Sequence, residues 1–198
     1  GGCQHANCMH GLPDGFVAPS SGTGQCQLCS AGHESISTTQ CASCIDGTYG
    51  SLDGADCVQC AAGKAGTGDA TSSETTGCEA CAAGHYSDSS GSAECTPCAA
   101  GHAQSLTGQL ACAPCGGDTY QDAAGQSQCK PQVPCGAGEY ASADSKTSQR
   151  TCTPCPSNTF QDATSHLNMQ CQTGDVCTGD EYISTALTIT SDRVCSTT

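Results

Sequence analysis

Cysteine pairs separated by two residues are the groups in this chain whose spacing could support chemistry. The segment CEACAAGHYSDSSGSAEC, residues 78–95, carries one such pair, a third cysteine, a histidine and a tyrosine. A Cys-x-x-Cys pair near a histidine could be half of a zinc site, a redox centre, or the ends of two different disulfides. These chemistries need different supporting elements, so the rest of the chain decides among them.

The composition limits how the chain can fold. Among 198 residues there are 21 Cys, while Leu, Ile, Val and Phe together number only 18. Such a chain cannot bury the hydrophobic core that its length would normally provide, so cross-links or metal ions must stabilise it. We therefore expect a small disulfide-rich fold.

The charge and the polar residues limit which partners and which modifications we expect for this chain. The formal net charge is −14, from 5 Lys and Arg against 19 Asp and Glu, which argues against nucleic acid as a partner. No run approaches the roughly 18–20 apolar residues of a membrane span. The chain has 46 Ser and Thr residues and no N-x-Ser/Thr sequon, so any glycan is expected to be O-linked. It opens GGCQHANC without Met, which suggests a processed product or a segment of a longer protein.

The cysteines alternate short and long gaps, which indicates a repeat. Seven Cys-x-x-Cys pairs and three looser pairs are separated by ten long gaps of 11 to 17 residues. The unit is therefore one Cys pair followed by one loop. We predict tandem single-loop repeats over residues 1–115 and two two-loop repeats over 115–198, at 115–152 and 155–195.

Two further positions recur in the loops. The third residue after the Cys that opens a loop is always Gly, Asn or Asp, which tolerate a left-handed backbone. We predict a tight turn with positive φ there, at Gly47, Gly84, Gly101, Gly138, Asp118, Asn158 and Asp180 among others. Two residues later stand the aromatics Tyr49, Tyr86, Tyr120, Tyr140, Phe160 and Tyr182, which include every Tyr in the chain.

These two positions predict the local structure of each loop. The aromatic is expected to pack against the neighbouring disulfide as a miniature core, because sulfur–aromatic contact and apolar burial both favour that arrangement. The intervening residues are typical of strand–turn–strand. The predicted fold is thus a ladder of short β-hairpin loops with little regular secondary structure and essentially no helix.

The redox and zinc interpretations fit this repeat poorly. A thioredoxin-like centre needs a thiolate at a helix N-terminus, whereas these pairs lie in loops without helical periodicity. A four-Cys zinc site would use pairs two at a time and make alternate loops differ, yet the loops share one signature. His33, His85 and His102 occupy the same position beside the turn, which predicts surface residues rather than metal ligands. We expect no catalytic site, cofactor, metal or small-molecule substrate.

Disulfides are therefore predicted to carry the structure, with the second Cys of each pair bonded to the first Cys of the next pair. The bonds are Cys8–Cys26, Cys29–Cys41, Cys44–Cys57, Cys60–Cys78, Cys81–Cys95, Cys98–Cys112, Cys115–Cys129, Cys135–Cys152, Cys155–Cys171 and Cys177–Cys195, and Cys3 remains unpaired within the chain. Interlocked pairing stays open, since sequence alone does not fix connectivity. Arg150 and Arg193, each two residues before a closing Cys, are predicted to pair with acidic neighbours such as Glu139 or Glu181.

The pattern resembles known cysteine-rich repeats. The unit C-x-x-C-x-x-G-x-Y-(x8)-C, seen at 78–98, resembles the ephrin-receptor-like repeat. The ending TITSDRVC (188–195) and the two-loop unit are similar to tumour necrosis factor receptor-type modules, although the extra internal cysteines of receptor modules are missing. The resemblance implies an extracellular or cell-surface protein, as in arrays from protists and algae, including mastigoneme-type proteins.

Repeats that touch only their neighbours form an elongated rod. We therefore expect a structural segment of a larger cell-surface or filament-forming, mastigoneme-like protein, with O-linked glycans and with other chains or segments of the same assembly as partners. One alternative is a receptor-type ligand-binding ectodomain, for which YISTALTI (182–189) is the candidate apolar patch. The other is a zinc-binding protein.

Overall fold

The computed structural model describes residues 16–17, 27–30, 32–37, 40–50, 56–66 and 73–197. Cys3, Cys8 and Cys26, and with them the expected Cys8–Cys26 bond and the unpaired Cys3, lie outside these ranges. The chain forms two compact units. One comprises residues 1–99, 103–113 and 124–128, and the other comprises 100–102, 114–123 and 129–198.

The regular elements of the described residues are short strands and a single helical turn. In chain order they are β1 (Phe16–Val17), β2 (Gln27–Leu28), β3 (His33–Ser37), β4 (Gln40–Ser43), β5 (Thr48–Gly50), β6 (Cys57–Gln59), β7 (Lys64–Gly66), α1 (Glu74–Gly77), β8 (Cys78–Ala80), β9 (His85–Tyr86), β10 (Thr96–Pro97), β11 (His102–Ala103), β12 (Ala113–Pro114), β13 (Thr119–Tyr120), β14 (Lys130–Pro131), β15 (Glu139–Ala141), β16 (Cys152–Pro154), β17 (Thr159–Phe160), β18 (Gln172–Thr173), β19 (Glu181–Thr185) and β20 (Val194–Thr197). Among the described residues, no helix reaches the length and hydrophobicity that crossing a bilayer requires.

Consecutive strands pair into two-stranded hairpins, from β1 with β2 to β19 with β20. In the hairpins from β3 onward the first strand follows the turn, and the second begins within one residue of the Cys that closes the loop. The register is shared, since the aromatic position lies opposite the residue after the closing Cys. Examples are Tyr49 opposite Val58, Tyr86 opposite Thr96 and Tyr140 opposite Thr153. The disulfide-rich repeat of short hairpins with essentially no helix is therefore confirmed.

The one helical turn, α1, lies in the loop between Cys60 and Cys78, whose disulfide spans 18 residues, among the longest separations in the chain. Its first turn is acidic, and Glu74 forms an ion pair of 2.8 Å with Lys64 of strand β7. The longer loop has room for this turn, whereas the fully described loops closed across 14 residues, such as Cys81–Cys95, contain only the hairpin.

Cysteines form most of the core. The Cys that opens a loop is 0% exposed at Cys60, Cys81 and Cys98, and the loop alanines Ala65, Ala103 and Ala141 are also buried. Because disulfides close each loop, little additional apolar burial is needed, which agrees with the scarcity of large aliphatic residues.

The left-handed turns lie at the expected position in most loops. Gly47, Gly84, Gly101 and Gly138 have φ between 80° and 86°, and Asn158 has φ 65°. The prediction of positive φ at Asp118 and Asp180 was wrong. In both loops a glycine precedes the aspartate, and Gly117 (φ 50°) and Gly179 (φ 66°) adopt the left-handed conformation instead, because glycine does so without steric cost.

Successive repeats meet at joints that share three backbone hydrogen bonds. In the joint that follows Cys81, the turn residue Gly84 donates to the Gln104 carbonyl, and Ser87 donates to the Gln109 carbonyl. A third bond runs back from the Gly108 N–H to the Cys81 carbonyl. The equivalent bonds recur at three other joints, as Gly63–Ser87, Gly66–Ser92 and Gly91–Cys60; Gly101–Gln121, Gln104–Gln126 and Gly125–Cys98; and Gly138–Gln161, Ala141–Asn168 and His166–Cys135.

The turn glycines also contact the loop two repeats further on. A Cβ atom on Gly47 would collide with the Gly91 carbonyl oxygen, and one on Gly84 would collide with the Gly125 carbonyl oxygen. The expectation that each repeat touches only its neighbours was therefore wrong. The small turn allows the second following loop to pack directly onto its backbone.

Candidate interaction surface

Nine disulfides link the described cysteines, and each closes one loop. They are Cys29–Cys41, Cys44–Cys57, Cys60–Cys78, Cys81–Cys95, Cys98–Cys112, Cys115–Cys129, Cys135–Cys152, Cys155–Cys171 and Cys177–Cys195. Their Cα–Cα distances, 5.5 to 5.8 Å, lie in the usual range for disulfides. All eighteen cysteines of the described ranges are thus engaged, and none there offers a thiolate for redox or metal chemistry.

One group of potential metal ligands occurs in the described part of the chain, at Cys135, Glu139 and Cys152. The two sulfurs are bonded to each other, so they cannot act as thiolate ligands. The Glu139 carboxylate accepts a hydrogen bond of 3.3 Å from the Gly136 N–H. This group is therefore structural in the oxidised protein.

The aromatic positions differ in exposure. Tyr120 and Phe160 are buried at 9% and 8%, whereas Tyr49, Tyr86 and Tyr140 are half-buried. Tyr182 is 52% exposed, so the expectation that it packs into a miniature core was wrong.

Exposed apolar side chains concentrate around the last hairpin, β19–β20, which we call the terminal hairpin. Tyr182, Ile183 and Val194 are each 52% exposed there, and all five residues of β19 are exposed. Nearby Val176 and Ile189 are 76% and 54% exposed. The terminal hairpin overlaps the YISTALTI segment, and it is the most apolar exposed surface of its compact unit.

A groove recurs at two joints. One has a volume of about 250 Å³ and is lined by Tyr140, Pro156, Thr159, Met169, Gln170 and Cys171. The other has a volume of about 330 Å³ and is lined by Ala65, Gly66, Glu79, Ala80, Ala82, His85, Ala93, Glu94 and Cys95. Each residue that lines the first groove has a counterpart in the second groove, at the same sequence distance from a cysteine of its own repeat. The first groove is lined by uncharged residues, and the second carries two carboxylates.

Arg150 is the one buried cation of the described residues, at 8% exposure. Its guanidinium lies 2.8 Å from Asp144 and 3.9 Å from Asp118, and it donates to the Leu167 carbonyl at 3.3 Å. The predicted pairing with Glu139 was wrong, since that carboxylate caps the backbone of its own turn. Arg150, and then Lys146, hold the pKa of Asp144 below its ordinary value through hydrogen bonds.

Glu181 likewise does not pair with Arg193. Its carboxylate accepts a hydrogen bond of 3.0 Å from the Thr178 N–H. Within the described ranges, the Arg193 guanidinium has no carboxylate oxygen within 4.0 Å, although the Arg193 backbone N–H donates to Asp192 Oδ1 at 2.7 Å. Both glutamates follow the turn residue by one position, where a long side chain folds back onto the start of the loop.

Two buried glutamines are structural residues that the sequence argument missed. Gln121 and Gln161 are each 1% exposed, and each accepts a 3.2 Å hydrogen bond from the backbone N–H two residues later. The signal was present in the sequence, because TYQDA and TFQDA repeat at 119–123 and 159–163. Each glutamine caps the bend that follows its aromatic residue.

The histidines at the shared position beside the turn, His33, His85 and His102, occupy equivalent places in their hairpins but are less exposed than expected. His33 lies within 3.1 Å of the Ser30 hydroxyl and 3.2 Å of the Ser43 hydroxyl. His85 and His102 are half-buried, and their Nδ1 atoms are inaccessible to solvent with no partner among the described residues. These rings pack within the repeat, and the expectation of plain surface residues was only partly right.

Comparison with known proteins agrees with this geometry. Residues 66–108 match the family model described as tyrosine-protein kinase ephrin type A/B receptor-like. The resemblance to ephrin-receptor-like cysteine-rich repeats is confirmed. No curated protein sequence matches the chain. A structure titled "Human RANKL/OPG complex" is similar over 92% of this chain and 96% of its own, with 18% identity and a TM-score of 0.38, which carries no argument about function.

Proposed function

We propose that this chain is a structural module of an extracellular assembly and carries tension along its repeats. The observation that supports this function is the joint, where the same three backbone hydrogen bonds recur in four places. Each of the nine loops from Cys29 onward is also closed by its own disulfide, which limits how far the loop can extend. A repeat of this kind resists stretching without needing a large apolar core.

The proposed location and partners follow from the chemistry of the surface. Disulfides on this scale persist in oxidising compartments, which is typical of extracellular or secreted proteins. The module would belong to a larger cell-surface or filament-forming polypeptide of the mastigoneme kind, with O-linked glycans on its Ser and Thr residues. Its partners would be other chains or segments of that assembly, and it would have no enzymatic activity.

Small-angle X-ray scattering tests the elongated shape that this function requires. A compact protein of this length has a radius of gyration of about 16 Å, and an unfolded chain has about 48 Å. We expect the oxidised protein to lie clearly above the compact value, with a distance distribution typical of a rod. The reduced and denatured chain is the control. A radius near the compact value would contradict the proposal.

A ligand-binding ectodomain is the second candidate, and the uncharged joint groove beside Tyr140 favours it. Met169, 53% exposed, and Tyr140 line this groove and could receive an apolar side chain of a protein ligand. If the groove binds such a ligand, Met169→Glu should abolish cross-linking to a surface partner. Val133→Glu, at a residue also 53% exposed but outside the groove, should not. Equal cross-linking of the surface partner by both variants would contradict this candidate function.

The zinc-binding alternative has a direct test. Elemental analysis of the native, non-reduced protein would find zinc in stoichiometric amount if the alternative were correct. Disulfide pairing of the described cysteines leads us to expect no such zinc.

A further inference from the structure

The groove between hairpin β7–β8 and the loop closed by Cys81–Cys95 carries two carboxylates, and we call it the acidic groove. Its lining residues all belong to one compact unit, and five of the nine are alanine or glycine. Its volume of about 330 Å³ lies near the lower end of the range for ligand pockets, which measure about 300–1,000 Å³. The groove therefore has room for one or two side chains on a mostly small, apolar lining, but not for a folded element.

The two carboxylates of the acidic groove are exposed and have no counter-ion. Glu79 lies opposite Ala65 in the hairpin, and Glu94 directly precedes the closing Cys95. Neither carboxylate has an ion pair or a hydrogen bond among the described residues. Unpaired carboxylates in a concave surface attract cations, and the net charge of −14 strengthens that attraction.

The spacing of the polar groups favours an organic cation over a metal ion. The ligand atoms of Glu79, Glu94 and His85 do not all lie within 4.8 Å of one another, as a shared metal ion would require. A guanidinium or ammonium group bonds carboxylates at about 2.8 Å, whereas metal–oxygen bonds measure about 2.0–2.5 Å, so the organic cation fits a wider pair. The aliphatic stem of a Lys or Arg side chain packs on apolar surface, which the alanines provide.

The equivalent groove of about 250 Å³ in the other compact unit, which we call the sister groove, shows that the charge is particular to this joint. Three of its positions differ from the acidic groove in charge or size, with Gln170 for Glu94, Thr153 for Glu79 and Tyr140 for Ala65. The ring at the position of Ala65 agrees with the smaller volume. Since the repeat forms this groove without carboxylates as well, they are not needed to build it.

The basic residues of the chain itself are poor occupants of the acidic groove. Four of the five Lys and Arg side chains already pair with a carboxylate at 2.6 to 3.0 Å, namely Lys64, Lys130, Lys146 and Arg150. The fifth, Arg193, is half-buried, and its Nε atom is inaccessible to solvent. A second copy of this chain therefore offers few free cations, and the occupant that fits is a different, more basic polypeptide.

We propose that the acidic groove binds a Lys or Arg side chain of such a basic polypeptide. Glu79 and Glu94 bind the charged head group, and the alanines receive the aliphatic stem. This site goes beyond the proposed structural function, and its loss would leave the elongated shape and the disulfides unchanged.

NMR titration of the oxidised, ¹⁵N-labelled chain with a basic peptide tests the proposal. The probe is a pentapeptide with blocked termini and one Arg among four Ala, and the control peptide carries citrulline, which has nearly the same shape without the charge. We expect saturable shifts of the Glu79 and Glu94 amides with the Arg peptide alone. The Thr153 and Gln170 amides of the sister groove are the internal control and should not shift. Binding should weaken as NaCl rises from about 0.05 M to about 0.5 M, because salt screens exposed charges.

Three variants each take the residue that the sister groove carries, so the repeat tolerates them. Glu79→Thr and Glu94→Gln should each weaken binding about three- to tenfold, because each removes one charged acceptor. Ala65→Tyr should weaken it by filling the groove. Asp88→Asn removes an exposed carboxylate of the same loop outside the groove, and this matched control should leave binding unchanged.

Binding that does not depend on the two carboxylates would overturn the proposal. Equal shifts with the citrulline peptide would show this, and so would equal weakening by Asp88→Asn. The absence of saturable shifts at Glu79 and Glu94 in the unmodified chain would overturn it as well, and this measurement needs no variant to fold. None of these results bears on the elongated shape, which scattering tests separately.

Discussion

Glycine at the turn position serves two purposes at the level of single residues. At Gly84 it allows φ of 86°, and it also leaves space for the Gly125 carbonyl from two repeats further on. Gly117 has φ of 50° but open space around it. The energetic cost of the left-handed backbone and the cost of the close approach to Gly125 can therefore be measured separately.

Gly84→Ala should destabilise the protein more than Gly117→Ala. The left-handed backbone alone costs an alanine about 1–2 kcal/mol, which is the effect expected at Gly117. At Gly84 the displaced backbone of the second loop should add at least about 1 kcal/mol. Urea unfolding of the oxidised variants measures the difference. Exchange of the Gly125 amide, which donates to Cys98, should rise only in Gly84→Ala, and equal destabilisation would refute the close approach.

The carboxyl group of Asp144 should respond to the loss of Arg150. Arg150 and Lys146 lower its pKa in the folded protein, so Arg150→Gln should raise that pKa towards the ordinary value. Carbon-detected NMR titration measures it. The pKa of Asp122, lowered by the hydrogen bond from Lys130, is the internal control and should not change. An unchanged pKa for Asp144 would contradict the ion pair.

The direction of the pH dependence follows from this lowered pKa. The contribution of Asp144 to stability is complete above the unfolded-state pKa, near 3.9, and is lost as the pH falls through the lower folded-state value. Through this group, Arg150→Gln should therefore lower the free energy of unfolding by a constant amount above about pH 4, and the difference from the unmodified chain should disappear as the pH falls below that value. The change should be small, because exposed carboxylates are well screened by solvent.

At the level of elements, the hairpin and its disulfide were predictable, but the joint was not. The spacing from Cys81 to Cys95, with Gly84 and Tyr86 between, indicated one closed hairpin. The packing of Gly125 onto Gly84 depends on the rotation between successive repeats, which no sequence period encodes. For the same reason Arg150 could be placed beside a closing Cys, but its partner Asp144 could not be chosen over Glu139.

Loop closure predicts how the chain extends under force. The described disulfides span 12 to 18 residues. At about 3.5 Å per residue, the chain enclosed by each disulfide would be roughly 40 to 60 Å long when fully extended. A force-clamp experiment should show steps of this size only after a reductant is added. Replacing both Cys81 and Cys95 with serine should release one loop, roughly 50 Å, without reductant. Steps of the same size in the oxidised chain would contradict the pairing.

At the level of the whole molecule, the closed loops change what a protease can do. A cut inside any of the nine described loops leaves both new ends tied by the disulfide that closes that loop. From Cys29 to Cys195, only a cut between loops, in the few residues that separate one bonded Cys from the next, divides the molecule. Limited digestion should therefore leave one band of full mass on a non-reducing gel and several fragments after reduction. A chain of many exposed loops is in this way tolerant of nicking for as long as it stays oxidised.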